Sequence, residues 1–178
     1  MQRSTNKSLG IFGGSFDPPH KGHLKISLIS IRKLKLKKIY WVITKKNPFK
    51  KTTLFTISQR IKMCKELTSK KKHIKIKYID KLIKSSNTID VLKYLLKKNK
   101  KTKFFLIIGS DNVLKFHKWK SWKKILNIVQ LVVFARKGYD QRVKKATVLK
   151  YIGKDGVIFI NNKKIDISSS QLRKNYLK

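Results

Sequence analysis

Short apolar runs alternate with amphipathic stretches along almost the whole chain. Leu9–Gly13, Ile39–Thr44, Phe104–Ile108, Leu131–Ala135 and Val157–Ile160 are short and rich in β-branched or aromatic residues, as strands are, and Ile74–Tyr78 alternates apolar and polar as a further strand. Between them the apolar positions recur at helical spacing. Gly22–Leu34 reads as a helix, Ser58–Leu67 as a second one opened by a serine cap, and Thr88–Lys98 as a third with Ile89, Leu92, Leu95 and Leu96 on one face. A short terminal helix is expected from Ser169 or Ser170, and Asn47–Lys51 should form an exposed loop. Strands alternating with helices predict an α/β fold, a doubly wound and mainly parallel sheet flanked by helices on both faces. No repeat or linker divides it, so one domain over residues 1–178 is expected.

Composition narrows the function classes. The chain has 46 Lys and Arg against 8 Asp and Glu, a formal charge of +38. Such an excess raises the question of nucleic acid, yet only Arg3, Arg32, Arg60, Arg136, Arg142 and Arg173 are arginine, and the lysines are spread through every segment. Sequence-reading sites lean on arginine forks and exposed aromatics. No specific nucleic-acid partner is therefore expected, only nonspecific adhesion to polyanions in low salt. No apolar run reaches transmembrane length, Met1–Gly10 lacks a signal-peptide core, and the protein is expected to be cytoplasmic. The lone Cys64 excludes an intrachain disulfide and reads as a core residue. The eight acids are too scattered for a carboxylate metal cage, so a magnesium ion would take most of its ligands from substrate phosphates.

The most informative stretch runs from Gly13 through Gly14, Ser15, Phe16, Asp17, Pro18, Pro19, His20, Lys21 and Gly22 to His23. It sits between a strand and a helix. Two glycines let a phosphate chain approach the backbone, and the following helix N-terminus presents N–H groups to an anion. Pro18 and Pro19 stiffen the turn. His20 and His23, three residues apart, can turn their rings to one ligand, and a neutral imidazole still donates one N–H. Near the other end, Ser168, Ser169 and Ser170 precede a short amphipathic stretch, with Arg173 about a turn beyond. Hydroxyls and a guanidinium at a helix start also suit phosphate. In a parallel α/β fold both helix starts can open into one crevice, and Gly109 and Asp111 follow another strand's carboxyl end, where ligands bind.

Together these motifs resemble the nucleotidyltransferase superfamily that carries the His-x-Gly-His signature, over Gly13 to Arg173. Four internal segments are similar to its nicotinate-nucleotide adenylyltransferase branch: Ser86–Leu92, Ile107–Asp111, the expected helix Phe116–Leu126 with Trp119 and Trp122, and Arg136–Tyr139. The chain departs from the branch at Asn87, Val91 and Lys137, and carries Asn47-Pro48-Phe49-Lys50 where many relatives have Pro-Pro-His-Lys. The resemblance implies a Rossmann-like enzyme that transfers AMP from ATP to nicotinate mononucleotide, with His20 and His23 catalytic. Gly13, Gly14, Ser15, Phe16, Gly109, Asp111, Ser168, Ser169, Ser170 and Arg173 would join them on ATP. Lys50, Lys51, Thr88, Trp119 and Arg136 would hold the mononucleotide, Trp119 by stacking on the pyridinium ring. Magnesium bound through the phosphates is the implied cofactor. Sister activities on nicotinamide mononucleotide or phosphopantetheine, and a lysine-rich nucleic-acid module, are the alternatives.

Overall fold

A computed structural model describes residues 7–45, 52–135, 140–153, 155–161, 169, 172 and 173. In chain order the elements are β1 (Lys7–Gly14), α1 (Lys21–Lys33), β2 (Lys38–Ile43), α2 (Ile57–Leu67), β3 (Ile74–Lys77), α3 (Asp80–Ile83) and α4 (Thr88–Lys98). They continue with β4 (Thr102–Gly109), α5 (Ser110–Val113), a 3-10 turn (Phe116–Lys118), α6 (Trp122–Leu126), β5 (Val129–Phe134), α7 (Asp140–Lys144), α8 (Thr147–Ile152) and β6 (Val157–Ile160). The strands form one sheet in the order β3-β2-β1-β4-β5-β6, and all five pairings are parallel. This is the doubly wound arrangement expected from the alternating pattern.

Strand periodicity divides the core into two layers. Leu9 and Ile11 of β1, with Phe104, Leu106 and Ile108 of β4, face a cluster shared with Ile89, Leu92 and Leu95 of α4. Phe12, with Phe105 and Ile107, faces the opposite layer, where Ile26 of α1 and Cys64 of α2 pack. Gly10 points into this second layer. A Cβ there would lie 2.8 Å from Leu36 Cδ1 and 3.0 Å from side-chain carbons of Ile39 and Ile107, so glycine lets Leu36, between α1 and β2, pack closely onto β1.

Two local expectations are corrected. Helix α2 is opened by Thr56, not Ser58. The Thr56 hydroxyl accepts from the Gln59 amide at 3.3 Å, and the Gln59 side-chain oxygen accepts from the Thr56 amide at 2.9 Å, a capping box that only the Thr-x-x-Gln spacing provides. The stretch Phe116–Leu126 is not one helix. It breaks at Ser121, which adopts φ 53°. In a continuous helix, residues nine apart would point about 180° from each other; the break lets both Phe116 and Ile125 enter the same core cluster.

The sheet also locates the site. The β1–β4 ladder runs to Phe12↔Ile107. Beyond it, β1 stays with β2 through Gly14↔Ile43 and β4 stays with β5 through Gly109↔Phe134. The two central strands part at their carboxyl ends, where the winding reverses, and a crevice at such a switch point is where open α/β sheets bind ligands.

Candidate active site

The turn after β1 lies in this crevice. Gly13 is exposed, and a Cβ added to it would meet no atom within 4 Å, so the space above its backbone is open to a ligand. Phe16 adopts φ 47°, unusual for a bulky residue. Its ring is buried and stacked on Trp41 at 4.8 Å with a 14° interplanar angle, a packing gain that offsets the strained backbone. Any contact of Phe16 with a nucleotide is left to its main chain.

His20 and His23 cap α1 reciprocally. The Gly22 amide donates to His20 Nδ1 at 3.1 Å, and the His20 amide donates to His23 Nδ1 at 3.1 Å. A backbone N–H can only donate, so both Nδ1 atoms carry a lone pair and the neutral rings hold their proton on Nε2. The ring centroids lie 3.8 Å apart. His23 also rests 4.9 Å from the Phe16 ring. Its carbonyl accepts from Ser27 Oγ at 2.9 Å, and that oxygen accepts from Trp41 Nε1 at 2.7 Å. The histidines are thus oriented as N–H donors by the fold of the turn itself.

Ser169 and Arg173 reach the same turn. Ser169 Oγ donates to the Pro18 carbonyl at 3.1 Å. Arg173 Nη1 donates to the Asp17 carbonyl at 2.7 Å and lies 3.6 Å from the Asp17 carboxylate. Gly13, Gly14, Ser15, Phe16, His20, His23, Ser169 and Arg173 therefore surround one turn, with Gly109 and Asp111 at the end of the adjacent strand β4. Ser169 spends its hydroxyl proton on the turn, which leaves its oxygen as an acceptor. Ser168, Ser170, Lys50, Lys51 and Arg136 lie outside the described residues.

Thr88 and Trp119 stand on the α4 side of the sheet. Thr88 is half-buried in the first turn of α4. That turn is fixed by Asp90, which accepts from Ser85 Oγ at 2.7 Å and Asn87 Nδ2 at 3.2 Å; these two bonds hold its carboxyl below the usual range. Trp119 packs 4.9 Å from Phe116, with its indole Nε1 buried and lacking a hydrogen-bond partner among the described residues. Trp122 packs edge-on against Tyr151, a structural contact.

Sequence reading missed three buried charges. Arg60 donates to four carbonyls: Ser15 at 2.7 Å, Thr44 at 3.0 Å, Phe55 at 3.1 Å and Lys45 at 3.4 Å. Asp17 accepts from the Leu54 and Phe55 amides at 3.0 and 2.9 Å. Asp80 accepts from Thr44 Oγ1 at 3.0 Å and the Lys45 amide at 2.8 Å. One signal was available. In a chain that otherwise uses lysine, two of the arginines, Arg60 and Arg173, stand where guanidinium donors meet main-chain oxygens.

Comparison with known proteins bears on this geometry. The cytidylyltransferase-like family model matches residues 11–175. A probable nicotinate-nucleotide adenylyltransferase of Pelagibacter ubique (strain HTCC1062) is 46% identical over 166 residues, covering 93% of this chain and 92% of the relative. One of Agrobacterium fabrum (strain C58 / ATCC 33970) is 30% identical over 185 residues, covering 94% and 98%. The Plasmodium falciparum nicotinic acid mononucleotide adenylyltransferase complexed with NaAD has a TM-score of 0.75 at 23% identity, covering 94% of this chain and 83% of that one, a likeness of fold. Matched over nearly its whole length, the chain belongs to the cytidylyltransferase-like family, among the nicotinate-nucleotide adenylyltransferases.

Proposed function

We propose that the protein transfers AMP from ATP to nicotinate mononucleotide, releasing pyrophosphate and forming nicotinate adenine dinucleotide in NAD biosynthesis, with the whole chain acting as one cytoplasmic domain. The observation that carries the reading is the docking of Ser169 and Arg173 on the glycine turn beside two imidazoles locked as Nε2–H donors.

A 5′-phosphate oxygen of the mononucleotide attacks the α-phosphorus of ATP in line. The new P–O bond forms as the bond to the β-phosphate breaks, and pyrophosphate leaves with its electron pair. The attacking phosphate is already ionised near neutrality, so no base is needed. The task is to align two anions and stabilise charge on the equatorial oxygens. His20 and His23 donate to those oxygens, the open backbone at Gly13 admits the phosphate chain, and Arg173 adds positive charge. Trp119 stacks on the pyridinium ring, while Thr88 and the first amides of α4 bond its carboxylate. Lys50 or Lys51 and Arg136 complete the mononucleotide side. The described residues gather no cluster of three or more His, Cys, Asp or Glu, so the donors that fit magnesium are the phosphate oxygens and water. Bound there, the ion supplies charge neutralisation on the departing pyrophosphate.

The test is pyrophosphate release by the purified protein with ATP, magnesium and nicotinate mononucleotide, nicotinamide mononucleotide or phosphopantetheine in turn. The highest kcat/KM is expected with the nicotinate substrate. Turnover with phosphopantetheine alone, or with none of the three, would overturn the reading.

A further inference from the structure

We propose that Arg60 is a positioning residue for this reaction: its buried guanidinium sets the β2–α2 connection against the phosphate turn and thereby registers one substrate on the other. The inference rests on the adenylyl-transfer reading above. Arg60 is 1% exposed and touches no space a substrate would occupy. Its three donor nitrogens instead reach carbonyls on both partners. Ser15 belongs to the phosphate turn, Thr44 and Lys45 leave β2, and Phe55 enters α2. Asp17 balances this charge from the other side of the junction, gripping the amides of Leu54 and Phe55. A buried cation shared among main-chain oxygens of separate segments fixes their separation, because no single carbonyl can move without leaving a donor unmet.

The two halves do not depend on Arg60 equally. The phosphate turn keeps its other fastenings without it: the reciprocal histidine cap, Ser169 on Pro18 and Arg173 on Asp17. The described ends of the β2–α2 connection lose three carbonyl anchors, against one on the phosphate turn, and keep the bonds to Asp17 and Asp80 and the Thr44 amide on the Gly14 carbonyl. Removing the guanidinium should therefore leave ATP held while the second substrate loses alignment.

The test compares wild type, Arg60→Ala and Arg60→Lys for KM of each substrate, kcat, and folding by circular dichroism. Wild-type turnover is established first, so an inactive wild type would sink the functional reading and not this one alone. In Arg60→Ala, kcat should fall at least tenfold and KM for nicotinate mononucleotide should rise severalfold, with KM for ATP within twofold. Millimolar guanidinium ion should restore part of kcat by entering the vacated site. Arg60→Lys, which keeps the charge but not the fork, should lie between and show the same split. Should Arg60→Ala fail to fold, Arg60→Lys decides alone. A folded variant with unchanged constants, or with both KM values raised equally and no guanidinium rescue, would overturn the proposal.

Discussion

Replacing His23 separates two jobs that the proposed mechanism gives to one imidazole. Its Nδ1 accepts the His20 amide at 3.1 Å, which caps α1, and in the proposed reaction its Nε2–H donates to a phosphoryl oxygen. His23→Ala removes both. Loss of the cap should cost about 1 kcal/mol of stability, a fall in Tm of roughly 2–4 °C for a chain of this size. Loss of a transition-state donor should cost about 2.7–4 kcal/mol, or roughly 10²–10³ in kcat. His23→Asn divides the two. The asparagine oxygen stands near the place of Nδ1 and can accept the same amide, but its NH2 does not reach as far as Nε2. Thermal melts should therefore show Asn within a degree or so of wild type, while turnover stays as low as in His23→Ala. Turnover restored in His23→Asn would refute the donor role, and a melting point as low as that of His23→Ala would refute the capping role.

Other outcomes follow from the same geometry. Trp119→Ala should raise KM for the mononucleotide severalfold and leave that for ATP nearly unchanged; equal effects on both would reject stacking. Cys64 is fully buried, and burial pushes its thiol from an ordinary 9.0 up to about 12. The native thiol should resist thiol-specific reagents until the protein is unfolded. Because the folded value is the raised one, the associated stability is present below pH 9 and lost as pH climbs toward 12, so wild type should lose stability relative to Cys64→Ala in alkaline melts. With a net charge of +38, self-repulsion should make Tm rise with salt from 0.01 to 0.15 M while KM for ATP increases, as screening shortens to about 8 Å. A flat Tm would mean the charge is locally compensated.

Much of the architecture was legible because the sheet is buried on both faces. Strands covered on both sides must be apolar throughout, so Phe104–Ile108 and Leu131–Ala135 stand out by run alone. Helices α1 and α4 carry long amphipathic periods. The short elements left weaker traces. Helix α3 has four residues and ends at Lys84 with φ 51°, a position where glycine would have marked the stop. Lys35 and Lys101 adopt the same left-handed backbone, so turns that glycine would punctuate are written here in lysine. The glycine turn and its histidines were readable because their chemistry is local in sequence. The reciprocal cap was not, since a His-x-x-His spacing does not say which nitrogen of each ring meets the backbone.

The acids show what a sequence hides when the partner is main chain. With eight carboxylates against 46 cations, the natural reading is that each acid is claimed by neighbouring lysines. Asp17 and Asp80 instead accept backbone amides from segments tens of residues away, and Asp90 accepts from the hydroxyl and amide side chains that shape the start of α4. Surface pairs with lysine would contribute little. A buried carboxylate that satisfies buried donors removes a larger penalty. Backbone N–H groups look alike in a sequence, so such pairings leave no mark beyond the acid's position. Among the described residues, Asp17, Asp80, Asp90, Arg60 and Arg173 hold loops through such contacts, whereas Glu66, Asp155, Arg32 and Arg142 are exposed.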